Sequence, residues 1–201
     1  MKRLFLILVC IVFVMTSAAL HAQEEAPPQD AKEKRFPLGK NGNFAVKLDY
    51  IRFTDGHFKK PGEEDDGLYI GLEGYARIYQ NLYLGAEVGG ATNITIFGED
   101  VSFFPLELNS KYAIEAAKNF VVDFGGGVSY SYARLEDHPL FGIARKRSDW
   151  LFGGQFFADL TYKIHWFSIG VNAKYQITQD FRDEGINFGN WRIGAQIGVV
   201  F

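Results

Sequence analysis

The sequence predicts an all-β protein: an eight-stranded antiparallel up-and-down transmembrane β-barrel. Three observations lead there: an apolar period of two from Phe44 onward, connections that alternate between short and long, and a polar face whose charges balance. The averages alone point elsewhere. With 201 residues, 47% of them hydrophobic, 22% charged and 16% aromatic, and with near-neutral mean hydropathy, the chain has the profile of an ordinary soluble domain. The formal charge of −3 gives no ground for nucleic-acid binding.

The first segment reads as an export signal. Lys2 and Arg3 precede the apolar run Leu4 to Met15, and small residues follow up to Ala22. The run is shorter than the roughly 20 residues a membrane-spanning helix needs. Residues 1–22 are therefore expected to be a signal peptide, cleaved after Ala22, with Ala19 as the alternative. Cleavage removes Cys10, the only cysteine, so the mature chain can form no disulfide in an oxidising compartment. It leaves 19 basic against 24 acidic residues. Residues 23–42, beginning QEEAPPQDAKEKR, are expected to be a flexible periplasmic lead-in.

The barrel is expected over residues 43–201. Outward phases run Phe44-Val46-Leu48-Tyr50, then Leu68-Ile70-Leu72-Gly74-Ala76-Ile78, Leu82-Leu84-Ala86-Val88 and Phe104-Leu106-Leu108-Ser110-Tyr112. The second half continues with Val122 to Tyr130, Trp150 to Tyr162, Phe167 to Tyr175 and Trp191 to Phe201, each on alternate residues. Gln80-Asn81, about Glu115–Asn119, and Ile164–Trp166 are the short turns. Thr54–Gly67, Gly98–Ser102, Arg134–Ser148 and Thr178–Asn190 are the expected loops at the other end. Each segment reaches about 9 to 11 residues, which a tilted strand needs to cross a bilayer.

Period two fits a secreted, lipocalin-like barrel as well as a membrane barrel. The polar phase discriminates. It holds Lys47, Arg77, Lys111, Lys163, Lys174 and Arg192 against Asp49, Glu73, Glu87, Glu107, Asp123 and Asp159, six against six, among Gly, Ser, Asn, Gln and Tyr. A narrow interior requires paired charges and small neighbours, whereas a solvated face requires neither. These twelve residues form the candidate lumen charge network. Tyr69, Tyr75, Tyr79 and Tyr83 would help fill the bore, and the same phase offers only Ile51, Leu151 and Phe157 as apolar lining. Outward aromatics gather near the turn end (Phe44, Tyr112, Phe120, Tyr162, Phe167, Phe201) and near the loop end (Phe104, Tyr130, Trp150, Tyr175, Trp191), as interfacial girdles do.

On the pair YAI-turn-FVVDFGGGVSY, on FSIGVNAKYQI and on NWRIGAQIGVVF, the chain resembles the small outer-membrane β-barrel family that includes the OmpA transmembrane domain, opacity proteins and OmpW. The resemblance covers about residues 43–201. It implies a Gram-negative cell outer membrane, recognition of the C-terminal strand ending at Phe201 by the outer-membrane assembly machinery, and a monomer among lipids and lipopolysaccharide. It implies a structural or surface-interaction role. The alternative is passage or binding of small hydrophobic solutes, as in OmpW.

Catalysis is not expected. A lipid A-modifying barrel needs a histidine with a serine or acidic partner at the outer interface. His138 lies in an expected loop, His165 lies in a short turn without the His-x-Ser spacing of the deacylases, and His57, in a loop near Thr54 and Asp55, resembles the acyltransferase arrangement only loosely. No cofactor or metal is expected: Glu63-Glu64-Asp65-Asp66 is acidic but lacks the spaced ligands of a calcium loop. Arg145, Lys146 and Arg147, with Arg134 nearby, are the candidate contacts to lipopolysaccharide phosphates.

Overall fold

The computed structural model describes residues 36–55, 66–96, 99–137, 146–182 and 185–201. The signal peptide, most of the lead-in, His57, His138, Arg145 and Glu63 to Asp65 lie outside the described residues. The strands are β1 (Gly42–Phe53), β2 (Asp66–Tyr79), β3 (Leu82–Ile96), β4 (Glu99–Ala117), β5 (Phe120–Asp137), β6 (Lys146–Ile164), β7 (Phe167–Thr178), β8 (Asp180–Phe181), β9 (Ile186–Asn187) and β10 (Asn190–Val200).

Eight of them close a barrel in the order β1-β10-β7-β6-β5-β4-β3-β2, with every neighbour antiparallel. The closing seam runs from Asn43 opposite Val200 to Phe53 opposite Asn190. Closure satisfies both edges of the sheet, which hydrocarbon demands of any spanning β structure. The three tight turns fall at Gln80-Asn81, Lys118-Asn119 and His165-Trp166, and each has one residue of positive φ: 38° at Gln80, 69° at Asn119 and 60° at His165. Among the described residues there is no helix.

Alternation then sorts the side chains. Outward residues such as Leu48, Leu68, Ile70, Val88, Phe152, Val171 and Ile193 remain about half exposed in a continuous apolar belt. Inward residues are buried. An exposed apolar surface of this extent has no stable place in water.

The wall departs from expectation at the loop end. The described parts of the stretches expected as loops at Gly98–Ser102 and Arg134–Ser148, residues 99–102, 134–137 and 146–148, are strand. β4 starts at Glu99, β5 runs to Asp137, and β6 starts at Lys146. Inward Val101, Phe103, Ala133 and Leu135 are all buried there, so packing continues beyond the apolar belt and the ladder continues with it. The connection after β7 also differs: it forms the small β8-β9 hairpin instead of an irregular loop.

Candidate functional site

The barrel interior is the most concentrated chemistry in the molecule. The register places Glu73 opposite Glu87, Glu87 opposite Glu107, and Asp123 opposite Asp159. Like charges directly opposite destabilise an open sheet. Here cations from other strands compensate them. Lys174 Nζ lies 2.5 Å from both Glu87 and Glu107, and Arg192 contacts the same two carboxylates, Glu87 at 3.3 Å. Lys47 reaches Glu73 at 2.8 Å, Glu87 at 3.4 Å and Asp159 at 3.9 Å. Lys111 reaches Asp123 at 3.6 Å, Glu73 at 3.7 Å and Asp159 at 3.9 Å. Aromatic faces add to the cation environment: Arg192 lies 4.3 Å from the Tyr69 ring and Lys111 lies 4.0 Å from the Tyr75 ring.

Neutral polar groups fill the space between charges. Asn172 donates to Asp49 at 2.9 Å, Gln155 donates to Asn109 at 2.7 Å, and Gln176 donates to Ser129 at 2.8 Å. Gln176 Oε1 accepts from Arg192 at 3.3 Å, which ties this amide row to the ion pairs.

Two apolar clusters lie beyond the charged waist. At the loop end Ile51, Phe53, Tyr69, Ala91, Val101, Phe103, Ala133, Leu135 and Leu151 surround Phe181 and Phe188. Phe103 and Phe188 stack at 6.1 Å, with Phe53 edge-on to both. Phe181 and Phe188 come from the β8-β9 connection, so this segment folds into the mouth. At the turn end Leu38, Tyr75, Tyr83, Ala113, Val121 and Phe157 form the second cluster. Leu38 belongs to the part of the lead-in that is described, and it is packed where flexibility was expected. Its N–H donates to Tyr83 at 3.2 Å, and Asn41 N–H donates to Phe201 O at 2.7 Å.

The twelve-residue charge network needs two corrections. Arg77 is half-buried at the turn-end rim, where it stacks on Phe36 at 3.9 Å and donates to Lys40 O at 2.5 Å. A register shift between Arg77 and Tyr79 breaks the alternation there, which also turns Tyr79 outward, 66% exposed. Lys163 is half-buried at the same end. The buried set is therefore four cations (Lys47, Lys111, Lys174, Arg192) and six carboxylates (Asp49, Glu73, Glu87, Glu107, Asp123, Asp159), not six against six. The apolar lining is also richer than Ile51, Leu151 and Phe157. Phe53 and Phe103 lie in phase with the inward residues and were readable by extending the period. Phe181, Phe188 and Leu38 lie outside the barrel strands, where no period signals them.

The basic cluster is split by the same alternation. Arg134 and Lys146 take the outward phase, whereas Arg147, half-buried opposite Leu135, takes the inward one. Among the described residues no group of three or more His, Cys, Asp or Glu side chains is arranged to hold a metal ion.

Outward aromatics pair along the sheet: Tyr130 stacks on Trp150 at 4.8 Å near the loop end, and Phe120 meets Tyr162 at 4.7 Å near the turn end. A closed barrel with an apolar exterior and a polar waist matches solved structures. Neisserial surface protein A superposes with a TM-score of 0.61 at 12% identity, over 80% of this chain and 97% of that one. The fold is that of the small outer-membrane β-barrels. The N-terminal β-barrel domain of Pseudomonas aeruginosa OprF superposes at 0.54 with 11% identity, over 80% of this chain and 99% of that one. Ail, the attachment invasion locus protein of Yersinia pestis, gives 0.52 with 13% identity, over the same shares. No family model matches the sequence, and no curated protein is similar to it. The eight barrel strands, 11 to 19 residues long, reach or exceed the roughly 9 to 11 residues that cross a bilayer.

Proposed function

We propose that this outer-membrane barrel is a structural or surface-interaction protein with a closed lumen, its turns toward the periplasm and its long hairpins outside. The observation behind this reading is the filling of the bore at three levels: apolar at each end and ion-paired at the waist. Eight strands leave an interior that side chains can fill, and Arg192, Lys47, Lys111 and Tyr69 are almost fully buried within it. Its role is interaction and not catalysis. Outer-membrane lipids and the phosphates of lipopolysaccharide are its surroundings, with Arg134 and Lys146 as outward basic contacts. The strand ending at Phe201 is the segment engaged by the assembly machinery. Two of the similar structures bear names that refer to the cell surface and to attachment, which fits a surface role.

Planar-bilayer recording tests the closed lumen. The purified barrel should give no steady conductance, and a reproducible open state in the unmodified protein would overturn it. Unchanged lipid A after overexpression is expected, and a modified species would restore an enzymatic reading. The loop-end aromatic cluster favours one second reading, passage of small hydrophobic solutes. It would require Phe181 and Phe188 to leave the mouth, and saturable binding of such solutes, lost on trapping the β8-β9 hairpin, would establish it.

A further inference from the structure

The upper part of β6 has no ladder partner on one side among the described residues. β5 accompanies β6 up to Glu136 opposite Lys146, but β7 ends its pairing at Thr178 opposite Gly153. Ser148, Trp150 and Phe152 therefore turn backbone groups toward an edge where no described strand continues. An edge of this kind is a template for pairing with another chain.

The chain following β7 occupies that edge in an unusual way. Gln179 N–H donates to Phe152 O at 2.9 Å, as the next ladder residue would. The ladder then stops, and the Gln179 side-chain amide substitutes for a peptide group: its Oε1 accepts Phe152 N–H at 3.2 Å. Asp149 takes the next donor, Trp150 N–H, at 2.9 Å through Oδ1 and holds Arg182 N–H at 3.0 Å through Oδ2. Arg182 completes the set by donating through Nη2 to Ser148 O at 3.1 Å. Arg182 adopts a φ of 48°, a left-handed conformation that a non-glycine residue takes only against a steric penalty. This segment is anchored from inside by buried Phe181 and from below by Asn187 N–H donating to Asp55 at 2.5 Å.

We propose that Gln179–Arg182, together with Asp149, is an edge guard. It is a side-chain strap that holds the outward backbone groups of Ser148–Phe152 and prevents a second copy of this chain from adding its own strand there. The proposal rests on the β6 edge and is independent of whether the lumen is closed. A β7 extended by a few more residues would pair the edge too, but it would draw Phe181 out of the mouth. Side-chain capping lets one segment seal the mouth and cover the edge together.

The test uses the refolded mature chain in lipid nanodiscs, with heat-modifiable migration in SDS as the check that each variant is folded. Amide exchange is read at Phe152 and Trp150 in the unmodified protein, in Gln179→Ala, and in the triple variant Gln179→Ala, Asp149→Ala, Arg182→Ala. Loss of one hydrogen bond should speed exchange at Phe152 by about tenfold. Because the mature chain lacks cysteine, Ser148→Cys then reports edge pairing as a disulfide between copies. Dimers are expected in the strapless background and not with the strap intact. Unchanged exchange at both amides would overturn the cap. Faster exchange without dimers, or equal dimers in both backgrounds, would overturn the guarding role.

Discussion

At the scale of single residues, the interior tolerates loss of an ion partner poorly. Glu107 is shared by Lys174 and Arg192, so Glu107→Gln would leave two buried cations short of a carboxylate. A loss of about 3–5 kcal/mol is expected, measurable as a lower urea midpoint for unfolding in lipid. Replacing Glu87, Glu107, Lys174 and Arg192 together by Leu, Leu, Met and Met should cost less than the single change, because the two carboxylates and the two cations that compensate them leave together. A second contrast concerns glycines. A Cβ at Gly194 would collide with Leu48 O and the Asp49 carboxylate, whereas one at Gly154 would meet nothing closer than 3.6 Å. Gly194→Ala should lower yield and stability on refolding, while Gly154→Ala should match the unmodified protein. The charges that build the waist were legible because inward phase and charge coincide in Lys47, Glu87 or Arg192. Arg77 and Tyr79 were misplaced because a register shift of one position leaves no mark in composition.

At the scale of elements, the eight barrel strands were readable and their caps were not. A strand advertises itself through every second residue, so the outward phases from Phe44 to Tyr50 or Trp150 to Tyr162 are unambiguous. The β8-β9 hairpin and the Phe36–Asn41 segment work through single residues, Phe181, Phe188 and Leu38, set among polar neighbours. Each makes a specific expectation. Phe188 is buried against Phe53, Phe103 and Phe181. Phe188→Ala should cost about 3–5 kcal/mol and make the mouth accessible to a small hydrophobic fluorophore, read as enhanced emission. Tyr83 OH accepts from Leu38 N–H and donates to Gly39 O, each at 3.2 Å. Tyr83→Phe should cost about 1 kcal/mol and speed proteolysis near Leu38 in the refolded barrel. No change in stability or in proteolysis rate would mean that the lead-in packs independently of this tyrosine.

At the scale of the whole molecule, a closed ladder in lipid resists detergent until heated, so unboiled and boiled samples should run apart in SDS, and a single band would exclude the barrel. Fold class was legible because membrane and lumen impose opposite demands on alternate residues, and a chain of eight such segments has few other solutions. Its activity was less legible, since side chains that fill a bore and side chains that act in one share the same composition. The unequal strand lengths have a final consequence. β4 and β6 have 19 residues and β5 has 18, while β1 and β7 have 12 and β10 has 11. At about 3.3 Å per residue the rim is lopsided by roughly 20 Å along the strand direction. Among the described strands the wall thus has a tall front and a low back, so a large neighbour approaching from the side would meet paired backbone higher on the β4-β5-β6 parapet than on the β1-β10-β7 sill.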